Sequence, residues 1–113
     1  MFIANIKEIK LLHRVSVIIP ALNEEKNIAQ TISFIQAFAP SNTEIVVVDN
    51  GSQDETVAIA ESMGVLVIER PGVTIAALRN EGVRACSGGV LAFIDADVTT
   101  TKEWGEVLSL IRI

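Results

Sequence analysis

The sequence predicts an α/β domain organised around a parallel, doubly wound sheet. Short β-branched runs alternate with segments whose apolar residues recur at helical spacing, giving the order βαβαβαβα. That order implies right-handed crossovers between parallel strands. Two of the runs also end in acid. Val90-Leu91-Ala92-Phe93-Ile94 closes as Asp95-Ala96-Asp97, and Glu44-Ile45-Val46-Val47-Val48 runs into Asp49. Ligands of open α/β sheets bind just beyond such carboxyl ends.

The first expected strand covers 15–19, with Pro20 as its stop. Asn23 is placed to cap the following helix, with Glu24 and Glu25 in a first turn that favours negative charge. Ile28, Ile32 and Ile35 mark the buried stripe of that helix. A second strand over 45–48 leads to a helix from about Asp54 to Met63, with Ser52 or Asp54 as cap and Gly64 as the C-terminal glycine. Residues 65–68 form the third strand, closed by Arg70-Pro71-Gly72. Thr74 then caps a helix with Ile75, Leu78, Gly82 and Cys86 on one side, where Gly82 would permit close packing on the sheet. Ser87-Gly88-Gly89 leads into the fourth strand over 90–94, whose apolar run reads as buried. Trp104, Val107, Leu108 and Ile111 trace a last amphipathic helix.

The chain has 113 residues, half of them hydrophobic and a fifth charged, which suits one small folded domain and excludes disorder. A net charge of −5 argues against nucleic-acid binding, which calls for a basic face. A phosphate ligand would need a metal or a few placed arginines. Cys86 is the single cysteine, so no intrachain disulfide can form and a reducing, cytoplasmic setting is expected. As a small apolar residue it is expected to be buried. Residues 1–14 are apolar but interrupted by Asn5, Lys7, Glu8 and Lys10, too broken for a transmembrane span or a signal peptide. They read as an N-terminal extension whose weak amphipathic pattern docks on the domain or a partner, with peripheral membrane contact as the lesser alternative. His13, the only histidine, is expected at the surface.

Asp95 and Asp97, one residue apart on a turning backbone, can converge on one point. A hard divalent cation that bridges phosphate oxygens wants such a site. Each also has a plainer role, Asp95 as a cap for the next element and Asp97 as a solvated turn residue. If strands two and four lie parallel in one sheet, Asp49 opens onto the same edge. Three carboxylates would then line one crevice, a costly arrangement unless a cation or hydrogen-bond donors occupy it. An Asx-turn at Asp49 is the alternative, and the two roles are compatible.

A dinucleotide-binding fold would place G-x-G-x-x-G directly after the first strand. The turn here is Pro20-Ala21-Leu22-Asn23-Glu24, without glycine and with Glu24 and Glu25 to repel a pyrophosphate. G-x-x-x-x-G-K-[ST] is absent as well, which excludes a P-loop.

Four segments, Val17-Ile18-Ile19-Pro20-Ala21-Leu22-Asn23-Glu24, Val47-Val48-Asp49-Asn50-Gly51-Ser52-Gln53-Asp54, Leu78-Arg79-Asn80-Glu81-Gly82 and Phe93-Ile94-Asp95-Ala96-Asp97, closely resemble the family-2 glycosyltransferases. Order and spacing agree over residues from about 15 to 104. The resemblance implies a Rossmann-like GT-A fold, the nucleotide-diphospho-sugar transferase fold, with 15–113 as its donor-binding half and 1–14 outside it. It implies that Pro20, Ala21 and Glu24 border the nucleoside of a nucleotide-sugar donor. Asp49 would accept a hydrogen bond from the base, typically uracil, and Arg79 would lie near the base or diphosphate. Asp95 would lie by the ribose and the hydrated metal, and Asp97 would ligate Mn²⁺ or Mg²⁺. Such a cation screens the diphosphate from an acidic crevice and stabilises it as a leaving group. Apart from the resemblance, Glu24 suits a helix dipole, Arg79 suits solvent or an ion pair with Glu81 or Glu55, and Trp104 suits the core.

Members of that family carry the acceptor pocket and a catalytic Asp or Glu in a second half, and inverting transfer needs that base. Nothing after Trp104 supplies it. The chain is therefore expected to be truncated relative to its family and catalytically incomplete alone, with its catalytic residue unassigned. The complete enzyme is expected to transfer sugar from a UDP-sugar to a saccharide, lipid or protein acceptor. Apolar surface where a second half would pack favours a homodimer. Two other functions compete: a non-catalytic domain that binds nucleotide or a partner chain, and a sugar nucleotidyltransferase. The latter should carry a glycine-rich, basic loop after its first strand, and 20–24 is neither.

Overall fold

The computed structural model describes residues 14–97; the extension with His13 and the terminal helix with Trp104 lie outside the described residues. Four strands, β1 (Val15–Ala21), β2 (Glu44–Asp49), β3 (Leu66–Glu69) and β4 (Val90–Phe93), alternate with three helices, α1 (Ile28–Phe38), α2 (Thr56–Ser62) and α3 (Ile75–Ala85). Every pairing is parallel, and the strand order is β3-β2-β1-β4.

The side-chain period of two divides the core between the sheet's faces. Val15, Val17 and Ile19 join Ile28, Ile32 and Ile35 of α1 and Ala60 of α2 on one face. Ile18, Val46 and Val48 join Leu78 of α3 on the other. Burial on both sides is why β1 and β2 read as unbroken apolar runs. Gly82 serves as expected, since a Cβ there would collide with the Ile18 side chain, so its absence lets α3 sit close to the sheet.

One helix cannot cover four strands. Of the β4 run, expected to be buried, Ile94 is buried and Ala92 partly buried in the cluster on the α1 side. Leu91 and Phe93 pair with Ser16 and Ile18, face the α3 side, and stay 41% and 44% exposed because α3 packs over β1 and β2.

Pro20 does not stop β1, which continues to Ala21 with Pro20 opposite Val48. Along a strand, the N–H and C=O of one residue point to one neighbour and those of the next residue to the other. The carbonyl of Ile18 accepts from Ile94 on the β4 side, and that of Ala21 accepts from Asn50 on the β2 side. The nitrogen of Pro20 therefore faces β4, past the last bond of that ladder, where no donor is needed.

Asn23 does not cap α1. The helix starts at Ile28, after a turn in which the amides of Asn27 and Ile28 reach the Glu24 carbonyl at 3.0 and 2.8 Å. Glu24 and Glu25 thus precede the helix instead of forming its first turn. α2 starts at Thr56, whose N–H donates to Asp54 Oδ1 at 3.0 Å. Thr74 caps α3 as expected, accepting from the Ala77 N–H at 3.1 Å, and Gly64 ends the α2 segment with φ +79°. Cys86 is half-buried instead of buried, because it follows the last residue of α3. No helix of the described residues is long and apolar enough to cross a membrane.

Candidate functional site

The strand order reverses between β1 and β4, the position where open α/β sheets leave a crevice beyond their carboxyl ends. A cavity of about 390 Å³ lies there, lined by Pro20, Ala21, Leu22, Glu24, Asn50, Ile75, Leu78, Asp95, Ala96 and Asp97. Five of the residues singled out from the sequence, Pro20, Ala21, Glu24, Asp95 and Asp97, meet at this wall. Asp49 and Arg79 do not line it.

The Asp-Ala-Asp segment is pinned at two points. The Ile94 N–H donates to the Ile18 carbonyl at 3.1 Å. The carbonyl of buried Ala96 accepts from the Thr31 hydroxyl of α1 at 2.9 Å. With Ile94 and Ala96 turned into the core, Asp95 and Asp97 turn outward, and both are exposed. No ion pair engages either carboxylate among the described residues. Thr31 is 1% exposed and went unnoticed in the sequence because a threonine within a helical stripe looks like ordinary core.

Among the described residues, no group of three or more His, Cys, Asp or Glu side chains is placed to hold a metal ion. The expected crevice of three carboxylates from Asp49, Asp95 and Asp97 is therefore corrected to a wall carrying Glu24, Asp95 and Asp97. Two outward carboxylates one residue apart do not make a protein cage. They fit a hard cation that takes its other ligands from water and phosphate oxygens.

Asp49 is fully buried. Its Oδ2 accepts from the N–H groups of Gly51 at 3.0 Å and Ser52 at 2.7 Å, and its Oδ1 accepts from the Ser52 hydroxyl. This is the Asx-turn anticipated as an alternative, and Gly51 makes it possible with φ +92°. A carboxylate offers about four acceptor positions, so one position on Oδ1 is left over. Asn50, given no role from the sequence, lines the cavity while its Oδ1 accepts the Val73 N–H at 3.1 Å. That bond ties the β2 loop to the entrance of α3.

Arg79 lies on the exposed side of α3 with its guanidinium 5.9 Å from the centre of the Phe93 ring. It does not pair with Glu81, whose carboxylate is held by Arg70 at 3.4 Å and Arg84 at 3.0 Å. Leu22, Ile75 and Leu78 add an apolar wall that spacing alone gave no reason to assign to a ligand. Asp54 has its carboxyl moved from its ordinary range. The Thr56 hydroxyl, helped by the backbone N–H groups of Thr56 and Glu25, holds it below that range against an opposing desolvation.

The family model described as glycosyl transferase family 2 matches residues 16–109. The chain belongs to the family-2 glycosyltransferases. Glycosyltransferase AglE of Haloferax volcanii is 39% identical over 100 residues, covering 81% of this chain and 33% of AglE. Glucosyl-3-phosphoglycerate synthase from Mycobacterium tuberculosis, solved with Mn²⁺, UDP and glucosyl-3-phosphoglycerate, superposes with a TM-score of 0.65 at 30% identity, over 82% of this chain and 38% of that one. Residues 1–349 of TarS from S. aureus, solved with UDP-GlcNAc, give a TM-score of 0.67 at 29% identity, over 74% and 26%. The family-2 chain thus has the GT-A fold and spans about a third of the length of AglE.

Proposed function

We propose that this chain forms the donor-binding part of an inverting glycosyltransferase that takes a UDP-sugar through a divalent metal. The observation that carries this is the two-sided cavity at the switch point. Pro20, Leu22, Ile75 and Leu78 give it an apolar wall, and Glu24, Asp95 and Asp97 give it an acidic one. A ligand with a planar base and a diphosphate matches both walls once a cation stands between diphosphate and carboxylates. Pro20, Ala21 and Glu24 would border the nucleoside. Asp95 and Asp97 would hold Mn²⁺ or Mg²⁺, with Asp95 also beside the ribose. When bound, the cation would stabilise the diphosphate as a leaving group.

Asp49, buried behind the cavity wall, would offer its remaining Oδ1 position to the N3–H of uracil once the turn over 50–52 shifts to admit the base, while holding its own loop. Arg79 would approach the base or diphosphate from the Phe93 side. The donor class is supported by the relatives solved with UDP and with UDP-GlcNAc, and the metal by the one solved with Mn²⁺. The acceptor is a saccharide, lipid or protein hydroxyl, and the base that takes its proton is not assigned to a residue. A cytoplasmic setting suits the single thiol.

Calorimetry with UDP tests the proposal. Binding is expected with Mn²⁺ and should be much weaker with chelator. Equal affinity in the two conditions would remove the metal from the site, and no binding in either would overturn the donor-binding reading.

A further inference from the structure

We propose that Ser52 and Thr56 are positioning residues that hold Glu24 and the loop after β1 against the cavity by relaying two aspartates onto backbone amides. The proposal rests on the donor-binding reading above. Three consecutive N–H groups of the β1 loop point at the β2 loop. Asn23 donates to Ser52 Oγ at 2.8 Å, Glu24 to Thr56 Oγ1 at 2.8 Å, and Glu25 to Asp54 Oδ2 at 3.2 Å. Two bonds return, from the Gln53 N–H to Asn23 Oδ1 at 2.9 Å and from the Glu55 N–H to Glu25 Oε2 at 3.1 Å.

The two hydroxyls repeat one arrangement. Ser52 gives its proton to Asp49 Oδ1, and Thr56 gives its proton to Asp54 Oδ1. A hydroxyl has one proton and two lone pairs. With the proton committed to a carboxylate, only lone pairs face the β1 loop, and a backbone N–H is the partner that fits. Thr56 is fully buried, so water cannot replace its hydroxyl without opening the loop. Asn23 sits at φ 53°, a left-handed conformation that asparagine tolerates and that the clasp keeps in place.

The clasp bears on the site because its middle member is Glu24. The Glu24 side chain lines the cavity and accepts from Asn27 Nδ2 at 3.0 Å. Asn50 reaches the same wall from the other loop. Ser52 and Thr56 are not on the wall, so they act through these neighbours.

Thr56→Val removes the hydroxyl, Thr56→Ser keeps it, and Ser52→Ala provides a second, less buried test. Amide hydrogen exchange and calorimetry with UDP and Mn²⁺ are measured on the full chain. Thr56→Val is expected to raise exchange at Glu24 and to weaken UDP, each about tenfold, the loss of one well-placed bond. Exchange at Ile18 and Val47 should stay put, and Thr56→Ser should restore both readouts to within about threefold. Ser52→Ala should do the same at Asn23. Unchanged exchange at 23–25 would overturn the relay, and faster exchange with unchanged UDP affinity would overturn its positioning role. If the unmodified chain binds no UDP, the donor-binding reading falls and exchange alone decides whether the relay holds the loop.

Discussion

The two ends of the sheet treat their carboxylates in opposite ways. At the amino end, Glu44 opens β2 and meets Arg14 at 3.5 Å, both the N–H and the hydroxyl of Ser87 at 3.0 Å, and the Ser16 hydroxyl at 3.4 Å. Ser16 in turn accepts the Gly88 N–H at 2.9 Å. Two separate stretches of chain, 14–16 and 87–88, converge to satisfy one acid. At the carboxyl end, Asp95 and Asp97 are fixed from behind by Ile94 and Ala96 and project with no ion pair among the described residues. Glu44 is thus satisfied by its neighbours, whereas Asp95 and Asp97 of the cavity have no ion pair among the described residues. On the donor-binding proposal, the ligand and its cation would supply what the fold does not.

The strongest test of this contrast is Asp95→Asn combined with Asp97→Asn. If the pair holds the metal as proposed, metal-dependent UDP affinity should fall by on the order of 100-fold. The melting temperature should hold or rise, since two neighbouring charges of like sign, without an ion pair among the described residues, are removed. A fall of several degrees would show the pair to be structural and would erase the contrast.

Asp49→Ala sharpens it from the middle, because Asp49 is at the carboxyl end yet fully bonded. Urea denaturation should show a loss of about 2 kcal/mol, the scale for breaking charge-assisted bonds in a buried turn. UDP should also bind more weakly, and its advantage over CDP should narrow. Intact stability would mean that the Asx-turn survives without its acid.

Glu44→Ala is expected to cost less, about 1 kcal/mol, because Arg14 and Glu44 are partly exposed and such pairs are screened. UDP affinity should be unchanged. Equal damage to binding would show that the two ends communicate. The smallest effect belongs to Asp54. Its carboxyl titrates below its ordinary value of 3.8 in the folded chain, so its contribution is complete above that value and is lost as pH falls through the lower, folded value. Asp54→Asn should flatten this acid limb in thermal melts taken from pH 5 downward. An unchanged limb would assign it to other acids.

The strands were legible because a sheet buried on two faces leaves β-branched runs that few alternatives explain. Two expectations failed for reasons outside any local window. Asn23 has the chemistry of a cap, but its partners are Ser52 and Gln53, and the first of these is 29 residues away. The β4 run has the composition of a buried strand, but burial depends on how many helices a face receives, and that face has one described helix. Pro20 misled for a third reason: its effect depends on which neighbour its nitrogen faces, which needs the register. The acids of the site were legible as types at strand ends. The distinction between outward Asp95 and Asp97 and inward Asp49 arises from Thr31 and Ser52, whose hydroxyls carry no signal until the chain is folded.

The pairing of β4 with β1 joins the most distant parts of the described chain; the Gly88–Ser16 bond beside it spans 72 residues. β4 has four residues, pairs only with β1 among the described strands, and leaves Leu91 and Phe93 partly wet. Because loop closure must precede its contacts, it is expected to dock late and open early among the described strands, and faster amide exchange in β4 than in β1 would check this. Asp95 and Asp97 follow just after that strand. On that expectation the site would vanish and re-form through a partial opening that spares β1, β2 and their helices, and a ligand that bridges the carboxylates to the β1 loop would slow that opening without touching the rest of the core.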